Sequence, residues 1–257
     1  MEFVSSLGTM HYDFHGESSQ TIVLIHGFPL QSAMWKPQIQ PLIKAGFSVL
    51  IPDLPGFGLS RYQRALSIDQ MADEIYSLTQ TMGIEPLCVG GMSMGGYVAL
   101  SLAERYPQCA SRLALIVTRA EGDSEEGRKG RYDLADKARE EGIAAVADVF
   151  IEKVMGDGSR KLRDDVYAMM CGASVEGAAN ALAAMAERAD RVKSLSKITV
   201  PSLVMWAEKD KAMPAEAAAT MLAKLPNASE ARLPGGHMVN MEHPDEFNRA
   251  LVEFLRA

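Results

Sequence analysis

A chain of 257 residues is long enough to bury a sizeable core, either as one large α/β domain or as two small ones. Its 33 acidic residues outnumber 26 basic ones, and the net charge of −7 offers no electrostatic footprint for nucleic acid or an anionic membrane surface. The first residues, MEFVSSLGTMHYDF, lack a basic region followed by an apolar segment, no apolar run reaches the length of a membrane span, and Cys88, Cys109 and Cys171 are too far apart for a metal or redox pair, so a reduced, cytoplasmic setting is expected.

In chain order, the first twenty residues read as one or two antiparallel edge strands. TIVLIHG from Thr21 is a buried strand, followed by a helix over Ser32–Lys44, a strand in FSVLIPD from Phe47 and a helix over Ile68–Met82. LCVGG from Leu87, a helix over Met94–Arg105 and RLALIVT from Arg112 continue the alternation. TVPSLVMWAEKD from Thr199, a helix over Ala215–Lys224, the strand SEARL and a helix over Pro244–Arg256 complete it. Core strands apolar on both faces, alternating with helices, predict an α/β fold with a mostly parallel sheet. Between Thr118 and Lys197 lie roughly eighty residues with no strand pattern, too long for a structureless loop. RYDLADKAREEGIAAVADVFIEKVMG, RKLRDDVYAMMCGA and VEGAANALAAMAERADRV are amphipathic and helix-forming. They predict a helical cap over residues 121–195, inserted in a core made of 1–120 and 196–257.

Chemistry enters at VGGMSMGGYVAL. Gly91-Met92-Ser93-Met94-Gly95 matches G-x-S-x-G, the sharp strand-to-helix turn that leaves a serine exposed at its apex. A serine hydroxyl is a weak nucleophile near neutral pH and needs a base within reach, itself oriented by an acid. Of five histidines, His11 and His15 lie in the edge segment, His26 in a glycine turn, and His243 before Pro244 at a helix start, where it is expected to fix the helix entry. His237, in LPGGHMVN after the last strand, is at the end of the sheet where open α/β folds place their sites. Asp210, ending VMWAEKD, is the best candidate acid, with Glu208 and Glu121 as alternatives. Backbone N–H groups of Phe28, in HGFP, and of Met94 are the expected oxyanion donors; Pro29 has none to give.

HGFPLQSAMW, DLPGFGLS, GMSMGG, the strand-end EKD and GGHMVNMEHP together resemble the α/β-hydrolase superfamily, in its order and over nearly the whole chain. The chain is most similar to small capped members, such as 3-oxoadipate enol-lactonase-like proteins and bacterial carboxylesterases. The resemblance implies an α/β-hydrolase fold and hydrolysis of small carboxylic esters or lactones through Ser93, His237 and Asp210 and an acyl-enzyme, with no cofactor and no metal. Some relatives place the acid after the earlier strand, which keeps Glu121 open. An aspartate nucleophile, as in haloalkane dehalogenases and epoxide hydrolases, is excluded by Ser93. Carbon–carbon bond hydrolysis on the same triad, peracid formation suggested by Pro29, and a slow-turnover signalling receptor are the alternatives. In DLPGFGLS, Asp53, Gly56 and Gly58 are expected to shape the loop beside the site. Met155, Met169, Met170 and Met185 in the cap, with Met92, Met94, Met213 and Met238 near the triad, suggest an adaptable apolar pocket.

Overall fold

The computed structural model describes residues 1–84 and 87–257. Nine strands form one sheet: β1 (Glu2–Val4), β2 (Gly8–His15), β3 (Thr21–Ile25), β4 (Ser48–Pro52), β5 (Arg61–Tyr62), β6 (Leu87–Met92), β7 (Ala110–Ile116), β8 (Ser202–Ala207) and β9 (Ala228–Leu233). Their order is β1-β2-β4-β3-β6-β7-β8-β9, with β5 paired to β2. All pairs from β4 to β9 along this path are parallel, while β2 meets β1, β4 and β5 antiparallel. Of the two N-terminal strands, β1 is at the edge and β2 lies one strand in. The two-residue β5 carries no sequence pattern of its own.

The unbroken apolar runs follow from cover on both faces. Successive strand residues point to opposite sides, so Val23 and Ile25 join one buried cluster with α2 (Ile68–Thr81) and α3 (Met94–Arg105). Ile22 and Leu24 join the other, with α1 (Lys36–Lys44) and α10 (Pro244–Arg256), where Trp35 and Phe247 pack with ring centroids 6.0 Å apart. The helix expected from Ser32 is in fact a 3₁₀ turn, Ser32–Trp35, that leads into α1. Pro37 at the start of α1 suits a first turn, whose N–H groups lack intrahelical acceptors.

Between β7 and β8 come four helices: α4 (Glu125–Glu141), α5 (Ile143–Val154), α6 (Arg160–Cys171) and α7 (Val175–Ala186). The first amphipathic segment is therefore two helices and not one. Gly142, at φ +90°, takes a conformation that L side chains rarely adopt and ends α4 there. Ser124, Ser159 and Ser174 cap α4, α6 and α7, each hydroxyl accepting the N–H three residues on. The entry and exit of the insertion are tied together, Arg191 N–H donating to Ala120 O at 2.8 Å and Gly122 N–H to the Asp190 carboxylate at 3.1 Å. After β8 come α8 (Ala215–Lys224) and, after β9, the single turn α9 (Val239–Glu242). Among the described residues no helix is long and apolar enough to cross a membrane.

Candidate active site

Strand order sets the location. β3 has β4 on one side and β6 on the other, so the chain winds in opposite directions from this point and leaves a crevice beyond the strand ends. Phe28 follows β3 and Ser93 follows β6, one on each side of it.

Ser93 sits at φ +52° and ψ −114°, a strained conformation at the apex between β6 and α3. The surroundings over-determine it. Its N–H donates to Ile116 O at 2.9 Å, and its carbonyl accepts the Thr118 hydroxyl at 2.7 Å and the Gly96 N–H at 2.9 Å. The glycines answer to close approach: a Cβ on Gly91 would run into the carbonyl of Gly95, and one on Gly95 into the carbonyl of Ile25 in β3. Met94 is the first residue of α3, so its N–H has no acceptor within the helix. No sequence signal marks Thr118, because its role depends on β7 ending beside the turn.

His237 and Asp210 meet. The imidazole Nδ1 is 2.7 Å from Asp210 Oδ2, and both side chains are buried. Asp210 Oδ1 in turn accepts N–H bonds from Ala212 at 2.7 Å and Met213 at 2.9 Å, which fixes the carboxylate plane. Neither alternative acid is at the histidine. Glu208 pairs with Arg232 at 2.9 Å on the surface, and one oxygen of Glu121 is buried without a hydrogen-bond partner.

Ser93, His237 and Phe28 line a cavity of about 510 Å³ whose other walls come from the insertion, from Tyr97 of α3 and from residues 211–213 after β8. Leu134, Val149, Phe150 and Leu182 supply apolar surface. Of the eight methionines expected there, only Met185 and Met213 line it. Met92, Met155, Met170 and Met238 are buried in the core around α1 and α10, Met169 packs against that cluster, and Met94 is buried in the core beneath α2 and α3. Which residues face the cavity depends on how each inserted helix is rolled against the sheet, and methionine content does not reveal that.

The cationic side chains of this wall are Arg131, Lys153 and Lys211. Arg131 is committed to Asp123, which also receives Arg188 at 2.7 Å. Burial alone would push the Asp123 carboxyl up, but the Arg188 and Arg131 guanidiniums outweigh it and hold it below the usual range. Arg188 also lies 4.2 Å over the Tyr97 ring. Lys153 and Lys211 are exposed, and among the described residues neither has an ion-pair or hydrogen-bond partner.

Two buried polar groups hold the loops around the cavity. His26 contacts Gly27 O through Nδ1 at 2.9 Å and accepts the Leu54 N–H at Nε2 at 2.8 Å, so the neutral tautomer protonated on Nδ1 satisfies both. Asp53 accepts N–H bonds from Ser32 at 2.8 Å and Leu59 at 3.0 Å and contacts His11 at 3.2 Å; a Cβ on Gly58 would strike its carboxylate. Gly56, at φ +88°, abuts Gly177 of α7 main chain to main chain. His243 is the N-cap residue of α10, its carbonyl accepting the Phe247 N–H at 3.1 Å, but its side chain makes no capping bond and turns toward Asp157, 3.5 Å away.

Burial pushes the His26 imidazole below its usual range, its bond to Gly27 opposing this only in part. The unfolded chain therefore takes up a proton near pH 6.5 that the folded chain refuses, and stability is full above that pH and falls below it, by at most about 1.4 kcal/mol per pH unit. Urea midpoints at pH 7.5 and 5.5 should differ more for the wild type than for His26→Gln. Equal differences would show that His26 does not titrate this way.

The model of the family described as the alpha/beta hydrolase fold matches residues 20–244, and the chain belongs to that family. A thermophilic esterase from Thermogutta terrifontis, solved with malate bound, is 31% identical with a TM-score of 0.95, covering 100% of this chain and 97% of its own. The enol-lactonase from Burkholderia xenovorans LB400 is 28% identical with a TM-score of 0.89, covering 98% and 99%. In sequence, 2-hydroxy-6-oxononadienedioate/2-hydroxy-6-oxononatrienedioate hydrolase 2 of Pseudomonas putida is 26% identical over 96% of this chain and 91% of its own length. The protein is thus an α/β hydrolase whose relatives include an esterase, an enol-lactonase and a hydrolase of oxo-dioates.

Proposed function

We propose that the protein is a serine hydrolase of small carboxylic esters or lactones, with Ser93 as nucleophile, His237 as general base and acid, and Asp210 as its orienting carboxylate. The observation that carries this is the 2.7 Å Asp210–His237 bond at the wall of the cavity that Ser93 also lines. Asp210 on Nδ1 leaves Nε2 to take the Ser93 proton as Oγ attacks the carbonyl, and the imidazolium then formed is stabilised by the buried carboxylate. The Phe28 and Met94 N–H groups would hold the oxyanion, each such donor contributing about 3–4 kcal/mol to the transition state. The protonated His237 returns its proton to the leaving alkoxide, or to the ring oxygen of a lactone. Water then attacks the acyl-enzyme through the same base. In this reading residues 121–195 are a cap that sets selectivity.

The two unpaired lysines refine the substrate class. In a chain of net charge −7, they put free positive charge on the wall of the cavity that Ser93 lines, which favours an ester or lactone carrying a carboxylate away from the scissile bond. The malate bound to the Thermogutta terrifontis esterase and the dioate in the name of the Pseudomonas putida hydrolase agree with this chemistry. Mono-p-nitrophenyl glutarate should have a kcat/KM about fivefold above that of p-nitrophenyl pentanoate at low salt, two solvent-exposed pairs being worth up to about 1 kcal/mol each. The advantage should shrink with added salt and reverse in Lys153→Glu/Lys211→Glu. A ratio indifferent to both would remove the carboxylate from the substrate, and no turnover of either ester would count against ester hydrolysis itself.

A further inference from the structure

Glu242, at the end of α9, binds two segments that belong to different parts of the molecule. Its Oε1 accepts main-chain N–H bonds from Gly156 at 2.6 Å, Asp157 at 3.1 Å and Gly158 at 3.3 Å, all in the turn between α5 and α6. Its Oε2 accepts the N–H of Gly236, the residue before His237. The two backbones touch there: a Cβ on Gly156 would strike Gly236, and a Cβ on Gly236 would strike Gly156. Met238 N–H, just after the histidine, donates to Val154 O at 3.1 Å. The acid's loop joins the same junction, Lys209 reaching Asp157 at 2.6 Å and its N–H donating to Gly235 O at 2.8 Å.

Four N–H donors on one carboxylate are more than a helix end requires, and charge-assisted bonds of this kind set geometry as well as energy. An imidazole must lie between its acid and its serine within a fraction of an ångström, because a displacement of about 1 Å can cost a hundredfold in rate. We propose that Glu242 is a positioning residue for His237, acting through Gly236, and that it couples the orientation of the imidazole to the docking of the inserted helices. The proposal rests on the reading of His237 as the general base.

The test is steady-state hydrolysis of p-nitrophenyl butyrate by the full chain, with thermal midpoints measured in parallel. Glu242→Ala should lower kcat about ten- to a hundredfold with KM within twofold, because His237 acts in proton transfer and not in holding the substrate. Glu242→Gln, which keeps one acceptor oxygen, should fall between it and the wild type. Lys209→Met loosens the same turn but leaves the Gly236 bond in place, and should lower the midpoint with kcat within threefold. If Glu242→Ala keeps kcat within threefold, or if Lys209→Met loses as much kcat as Glu242→Ala, the residue is only a structural pin and the proposal fails. Should the alanine variant not fold, Glu242→Gln carries the test by the same split, an unchanged kcat overturning the proposal. A Ser93→Ala protein that still turned over ester would instead overturn the triad reading, whatever Glu242 does.

Discussion

Ser93→Ala should abolish ester turnover and leave the fold intact. The substitution deletes one oxygen and keeps the Cβ, so the positive-φ backbone costs no more than before and the bonds from Ser93 N–H to Ile116 and from Thr118 to the Ser93 carbonyl are untouched. What is lost is the attacking atom. Removal of a triad serine in a protease lowers kcat about a million-fold, the remainder coming from the oxyanion hole and binding, and a similar loss is expected here. Initial rates with p-nitrophenyl butyrate, taken beside thermal midpoints, provide the check; a folded variant with more than about 1% of wild-type activity would mean that another group attacks, since even a thousandfold loss is small for a nucleophile of this kind.

Asp210→Asn should also cost several orders of magnitude, for a reason visible in the hydrogen bonds. Oδ1 of Asp210 is held by the N–H groups of Ala212 and Met213, so an asparagine here must keep its carbonyl oxygen on that side. Its NH₂ group then faces His237 Nδ1, donor toward donor. The imidazole moves its proton to Nε2 to accept that bond, and Nε2 can no longer take a proton from Ser93. With the supporting charge also gone, kcat should fall about ten-thousand-fold, as in a comparable protease triad. Glu208→Gln removes only the surface pair with Arg232, and Glu121→Gln changes a side chain that does not meet His237, so each should stay within threefold. A Glu121 variant that lost more kcat/KM than Asp210→Asn would move the acid to the earlier strand.

What could be read from the sequence was what depends on local pattern. The strands TIVLI and SVLIP are buried at every position and apolar at all but their first residues because helices cover both faces, and the serine is flanked by glycines because Gly91 and Gly95 approach main-chain atoms too closely for a side chain. The chain order of serine, carboxylate and histidine pointed to Asp210 and His237, which each follow a strand at the same end of the sheet and lie within hydrogen-bond reach of one another. Contacts between distant segments left no such mark. Gly56 against Gly177, Gly156 against Gly236, and Glu242 on the α5–α6 turn join residues far apart in the chain, and each reads locally as an ordinary loop glycine or helix-end acid. The cavity lining differs from expectation for a related reason. α5 is apolar toward the sheet core as well as toward the cavity, whereas α6 does not reach the cavity, and Met155, just past α5, and Met170 of α6 pack in the core. Lys153 and Lys211 carry no motif of their own, and only the fold shows that these exposed side chains line this cavity.

Whether Ser93 carries the acyl group is decided most directly by intact-mass and peptide mass spectrometry after treatment with a serine-directed phosphonate, which forms a stable adduct on the attacking oxygen. One adduct per chain, located on Ser93 and absent from Ser93→Ala, is the expected result. An adduct on any other residue, or equal labelling of the alanine variant, would contradict the assignment of Ser93 as the nucleophile.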